Sequence, residues 1–175
     1  MIPLFRFRRS QNPSGSRPES RQSRFRVNWV LVNDLAIGPA PLFDRHLDHL
    51  EEQGIKAVLS LCGEAEAPLP AGLSLRFEWD RLVLPDHRAG RLPRHAELIE
   101  ALQRLEILRA AGPVYVHCVA ARERSPLVCL AWMVSRQGQS PQQALDYLMA
   151  VHPGTNPLSG QLALLDALAR GNDPQ

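Results

Sequence analysis

A cysteine and an arginine stand at the two ends of one short segment, Val116-His117-Cys118-Val119-Ala120-Ala121-Arg122-Glu123-Arg124-Ser125. Upstream, Gly112-Pro113-Val114-Tyr115-Val116 has the β-branched and aromatic content of a buried strand, and residues 125–137 read as an apolar helix. The segment is therefore a loop between a strand end and a helix start. Backbone N–H groups in such a loop lack ladder and helix partners. Those of Val119, Ala120, Ala121, Arg122, Glu123 and Arg124 can converge on an anion with the helix dipole behind them, which is the geometry of a phosphate cradle.

Each residue type has a chemical reason to be there. The thiolate, not the thiol, is the nucleophile, and N–H donors, a helix N-terminus and a guanidinium all stabilise it, so Cys118 is placed to attack phosphorus. Arg124 offers a rigid two-pronged donor that matches two phosphate oxygens and offsets charge spreading over them in the transition state. Ser125 can hydrogen-bond the sulfur and make it a better leaving group. His117 is read as loop support rather than as a reacting group.

His-Cys, five residues, Arg-Ser resembles the active-site pattern of the protein tyrosine phosphatase superfamily, and the stretch from about 28 to 169 resembles a small dual-specificity phosphatase. Residues 29–38 (WVLVNDLAIG) resemble the opening strand and turn of that family. Gly54-Ile55-Lys56-Ala57-Val58-Leu59-Ser60-Leu61 resembles the next strand, and 140–148 the helix after the active-site helix. The resemblance implies a phosphocysteine intermediate without metal or organic cofactor. It also implies a shallow site that accepts phosphotyrosine and phosphoserine or phosphothreonine. A phosphoinositide or phospholipid phosphatase and an RNA 5′-triphosphatase are alternatives on the same scaffold, and a non-catalytic phosphate-binding module is a third. Lipid-directed relatives tend to carry two basic residues within the loop; this loop has Arg122 and an acid. Ala121 stands where the family usually has glycine and Glu123 where it often has a small residue, which bears on rate and on the affinity for highly anionic substrates.

The family takes its general acid from an aspartate on a loop about thirty residues before the cysteine. Asp86 lies 32 residues before Cys118, in Leu84-Pro85-Asp86-His87-Arg88-Ala89-Gly90, where proline and glycine mark a loop. Asp80 competes, but it ends a strand-like segment and is read as structural. His87 is a weaker candidate for acid or substrate contact, or else exposed bystander surface. Arg88, Arg91 and Arg94 follow closely and either attract a phosphorylated ligand or form a solvated basic stretch. Cys62 ends the strand expected beside that of Cys118. It is either a buried free thiol or, as the resemblance offers, a redox partner of Cys118. Cys129 is read as inert core.

Composition fits one enzyme-sized domain with a tail. The chain has 175 residues, 45% hydrophobic, and no apolar run of the roughly 18 residues that a membrane helix needs. Three cysteines without a secretory signal point to free thiols in a reducing compartment, the cytoplasm. Of 20 basic and 18 acidic residues, seven arginines and one glutamate fall within 1–26, which leaves 13 basic and 17 acidic for the remainder. The segment 1–26, rich in Arg, Ser and Pro, is expected as a disordered basic tail, with 27–171 as the catalytic domain. Its prolines argue against the helix of a transit peptide. The expected partner is a phosphorylated protein or another phosphomonoester, with no stable nucleic-acid partner.

Hydropathy places strands near 27–32, 55–61, 73–79, 81–84 and 114–117, and helices near 42–53, 93–111, 125–137, 141–151 and 159–169. The fold class is α/β, a central, mostly parallel sheet flanked by helices, with the Cys118 loop at the carboxyl end of a strand where such folds bind ligands. Leu127, Leu130, Trp132 and Met133 have the spacing of core packing.

Overall fold

A computed structural model describes residues 25–171, so the expected basic tail lies, up to residue 24, outside the described residues. Five strands, β1 (Asn28–Leu31), β2 (Leu35–Pro39), β3 (Ala57–Ser60), β4 (Glu78–Arg81) and β5 (Val114–Cys118), form one sheet in the order β1-β2-β5-β3-β4. β1 is antiparallel to β2 and every other pairing is parallel. The helices are α1 (Asp44–Glu52), α2 (Leu73–Arg76), α3 (His95–Arg109), α4 (Arg124–Gln137), α5 (Pro141–Val151) and α6 (Ser159–Ala169).

Strand alternation divides the core. Leu35 and Ile37, Ala57 and Leu59, and Val114 and Val116 point to one face, where they pack with α3, α4, α5 and α6. The intervening Ala36, Val58 and Tyr115 point to the other face and meet Leu47 and Leu50 of α1 and Leu73 of α2. A strand buried on both faces favours apolar residues at successive positions; β5 is buried throughout, with Val114, Tyr115 and Val116 apolar and His117 its one polar ring. This central strand therefore holds its last residue, Cys118, at the carboxyl end of the sheet. α4 starts six residues later and is almost wholly enclosed, with Leu127, Leu130, Trp132 and Met133 all in the main core.

Three segments differ from the sequence expectation. Residues 73–79 alternate like a strand, yet 73–76 wind into α2 and the strand forms at Glu78–Arg81. The reason is tertiary: Leu73 drops between Leu47 and Leu50, and Arg76 pairs with Asp48 and Glu51 of α1. Residues 82–84, expected as strand, only continue the edge, with the Leu82 and Leu84 amides donating to the carbonyls of Ser60 and Leu61. β2 also stands apart from β1, because Asn33 adopts φ +60 and the Asp34 amide closes the turn on the Leu31 carbonyl.

Candidate active site

Cys118 ends β5 beside Pro39 of β2, and its sulfur lies 3.4 Å from the Ser125 hydroxyl in the first turn of α4. It is 3% exposed, at the floor of a cleft of about 250 Å³. Asp86, His87 and Arg88 form one wall; Val119, Ala120, Arg122, Glu123 and Arg124 form the other.

The loop is shaped from outside. The Val119 carbonyl accepts from the Ala40 amide, that of Ala121 from His152 Nε2 at 2.7 Å, and that of Arg122 from the Asn156 amide. Across a trans peptide the carbonyl and the following N–H point in opposite directions, so the amides of Ala120, Arg122 and Glu123 turn away from these partners. Ala121 sits at φ +53, the left-handed conformation that glycine would take without strain. Its methyl is buried in the main core and its carbonyl is held by buried His152, whose Nδ1 faces the Asn28 side-chain amide at 3.0 Å.

Arg124 is 4% exposed. Its Nη1 donates to Glu66 and to the carbonyls of Leu61 and Leu84, and its Nη2 donates to the other Glu66 oxygen at 3.0 Å. This pairing, helped by the Gly63 amide, holds the Glu66 carboxyl below its usual range despite partial burial. Glu66 takes the Nη1/Nη2 end of the guanidinium and leaves the Nε side toward other ligands.

Asp86 accepts from the Arg88 amide at 2.9 Å and pairs with the Arg88 guanidinium at 2.8 Å. The Arg88 side chain holds its carboxyl below the ordinary value, and Arg124 adds to the effect. Asp80 is occupied elsewhere, with both oxygens on Arg104.

His117 is fully buried, donates through Nδ1 to the Cys118 carbonyl and stacks on Tyr115. Burial lowers its pKa to about 4, so the ring is neutral.

No protein-family model matches the chain. Among curated proteins it is similar to two from Arabidopsis thaliana. Phosphatidylglycerophosphate phosphatase PTPMT2 is 23% identical over 154 residues, 87% of this chain and 67% of the relative. Phosphatidylglycerophosphate phosphatase PTPMT1 is 26% identical over 133 residues, 75% of this chain and 39% of the relative. Among solved structures, PTPMT1 in complex with PI(5)P superposes with a TM-score of 0.68 at 22% identity, covering 79% of this chain and 91% of the other. DUSP15, a dual-specificity phosphatase, superposes with a TM-score of 0.68 at 23% identity, covering 82% and 86%. The chain has the fold of these phosphatases, and its 117–125 loop carries the residue pattern that resembles theirs.

Within that fold, the residues expected from the sequence to share a site come together: Cys118, Arg124, Ser125 and Asp86 converge on the cleft and its floor, with Arg122 exposed at its rim. Arg91 and Arg94 do not join them. Arg91 grips both oxygens of Glu97, which also accepts from the Arg94 amide and caps α3. Cys62 lies fully buried just past β3, where burial pushes its thiol up and the Ser60 hydroxyl, 3.8 Å away, offsets part of that. An enclosed, protonated thiol attacks an oxidised partner slowly. Cys129 is buried in α4, and burial pushes its thiol up as well.

Sequence reading missed Glu66, His152 and the pairing of His87, an exposed side chain at the cleft wall, with Glu123 at 2.8 Å. No spacing rule links Glu66 to an arginine 58 residues away. Glu123 carried the signal: an acid in an anion-binding loop needs a partner.

Among the described residues no helix is long and apolar enough to cross a membrane, and no cluster of His, Cys, Asp and Glu could hold a metal ion.

Proposed function

We propose that this protein hydrolyses phosphomonoesters through a phosphocysteine on Cys118, and that its substrate is the terminal phosphomonoester of a phospholipid. The observation that carries the reaction is the convergence, in one cleft, of a thiol at a strand end, an enclosed arginine with a free edge, and a loop aspartate. The substrate class is supported by the two phosphatidylglycerophosphate phosphatases to which the chain is similar.

In this reading the substrate phosphoryl group sits on the loop amides and on the Nε side of Arg124. The Cys118 thiolate forms an S–P bond as the P–O bond to the leaving group breaks, and Asp86 gives its proton to the departing alkoxide oxygen. A water molecule then attacks phosphorus, Asp86 takes back a proton, and the S–P bond breaks to release inorganic phosphate. Ser125 donates to the sulfur as it becomes a thiolate again. In the free protein Asp86 is ionised and held by Arg88. The bound phosphoryl dianion competes for Arg88 and favours the protonated acid, so substrate itself prepares the proton donor.

A protein substrate is the second reading. It is favoured by Val119 and Glu123, which leave the loop less basic than a phospholipid headgroup with a phosphodiester beside its phosphomonoester would favour. Turnover of phosphatidylglycerophosphate in mixed micelles, compared with phosphotyrosine and phosphoserine peptides, separates the two. A kcat/KM at least about tenfold higher for the lipid is expected. Preference for the peptides would overturn the lipid assignment and leave the phosphocysteine chemistry standing.

A further inference from the structure

Glu123 departs from the small residue usual at its place, and it stands beside Arg124 in a loop whose task is to bind an anion. A carboxylate there opposes that task unless it is engaged. It is engaged: one oxygen lies 2.8 Å from His87 Nδ1, and the other accepts the His87 backbone N–H at 3.2 Å. The neutral ring with its proton on Nδ1 already suffices for the first bond, so the pair does not need a charged histidine.

The second bond matters more for chemistry. The His87 amide belongs to the peptide that follows the Asp86 Cα, so a carboxylate gripping both amide and ring fixes where that peptide sits and how it is rotated. With it, Glu123 fixes the direction in which the Asp86 side chain leaves the backbone. The far side of the same short turn is tied by Arg88 to Glu66, and its near side by the Leu84 carbonyl to Arg124. The loop that holds the acid is thereby bound directly to the loop that would hold the phosphate at two points, His87 to Glu123 and Leu84 to Arg124, and a third time through Glu66, which bridges Arg88 and Arg124.

We propose that Glu123 is a positioning residue: through His87 it ties the 84–90 loop to the phosphate loop and holds Asp86 over the oxygen of the leaving group. The inference rests on the phosphatase reading and on Asp86 as its acid.

The competing view makes Glu123 a simple electrostatic burden on anion binding, and the two views differ in leaving-group dependence. An alkyl phosphate needs the proton from Asp86; an aryl phosphate with a good leaving group needs it far less. Wild type, Glu123→Ala, His87→Ala and His87→Asn are assayed on para-nitrophenyl phosphate and on whichever alkyl phosphate wild type turns over faster, phosphatidylglycerophosphate micelles or a phosphoserine peptide. Melting temperature and inorganic phosphate binding are measured on each. Glu123→Ala and His87→Ala are expected to lose about tenfold or more in kcat on the alkyl phosphate and less than about threefold on the aryl phosphate. His87→Asn, which keeps a side-chain donor near the Nδ1 position, recovers most of the loss. Adding Glu123→Ala to Asp86→Asn brings no further loss on the alkyl phosphate.

Equal losses on both substrates, unchanged rates, or a gain on both with tighter phosphate binding would overturn the proposal. Wild type inactive on every substrate would overturn the phosphatase reading, and the inference with it.

Discussion

Asp86 and Asp80 are both acids near the expected distance from Cys118, and their partners separate them. Asp86 lines the cleft and is held by a mobile kind of partner, one exposed arginine side chain that a phosphoryl group can draw away. Asp80 is locked on Arg104, which also donates to the Arg81 carbonyl, and so belongs to the frame between β4 and α3. Asp86→Asn should therefore lower kcat by about a hundredfold on alkyl phosphates, less on aryl phosphates, with KM nearly unchanged. Asp80→Asn should lower the melting temperature and spare the leaving-group dependence. Steady-state kinetics on paired substrates checks both; the opposite assignment of effects would move the acid to Asp80. Since Arg88 depresses the Asp86 pKa, removing it with Arg88→Ala should let the acid stay protonated to higher pH and shift the alkaline fall in kcat/KM upward.

At the scale of elements, the strand-loop-helix around Cys118 was legible in sequence because two strong local signals agree. A β-branched run buried on both faces gives β5, and an apolar helix follows within a single loop's length. The same local reading misassigned 73–76, where alternation of leucine with polar residues suits a strand and only the packing of Leu73 against α1 decides for a helix. It also joined β1 to its turn without marking β2, although Asn33-Asp34 before Leu35-Ala36-Ile37 is a hairpin signal. The candidate site divides in the same way. Cys118, Arg124 and Ser125 lie within one contiguous motif. Glu66, His152 and the His87–Glu123 pair come from segments that only the folded sheet brings together; Glu123, an acid in an anion-binding loop, signals that a partner is needed, but nothing local says which residue supplies it.

At the scale of the molecule, the enclosed neutral His117 links stability to pH. Burial is the main reason that its pKa falls to about 4 from an unfolded value of 6.5; Arg81 and Arg124 add to the shift and the Cys118 carbonyl opposes it. Above 6.5 neither state holds the proton. As pH falls from about 6.5 to about 4 the unfolded chain takes it up and the folded protein does not, so stability is lost over that window, by about 3 kcal/mol. That is a sizeable part of what a domain of this size has. Urea unfolding of wild type and His117→Asn across pH 7 to 4 checks this: the variant should show a shallower decline, by up to about one proton's worth of slope. Identical slopes would mean that other groups carry the acid sensitivity.

Everything argued for the site depends on Cys118 as the nucleophile, and turnover by Cys118→Ser, measured beside its binding of inorganic phosphate, tests that most directly. A hydroxyl is a far weaker nucleophile than a thiolate, while the loop amides and Arg124 remain in place. Hydrolysis of para-nitrophenyl phosphate should fall by about a thousandfold or more with phosphate affinity retained. Residual activity within about tenfold of wild type would contradict the account, because the phosphoryl group would then be leaving by a route that does not pass through sulfur.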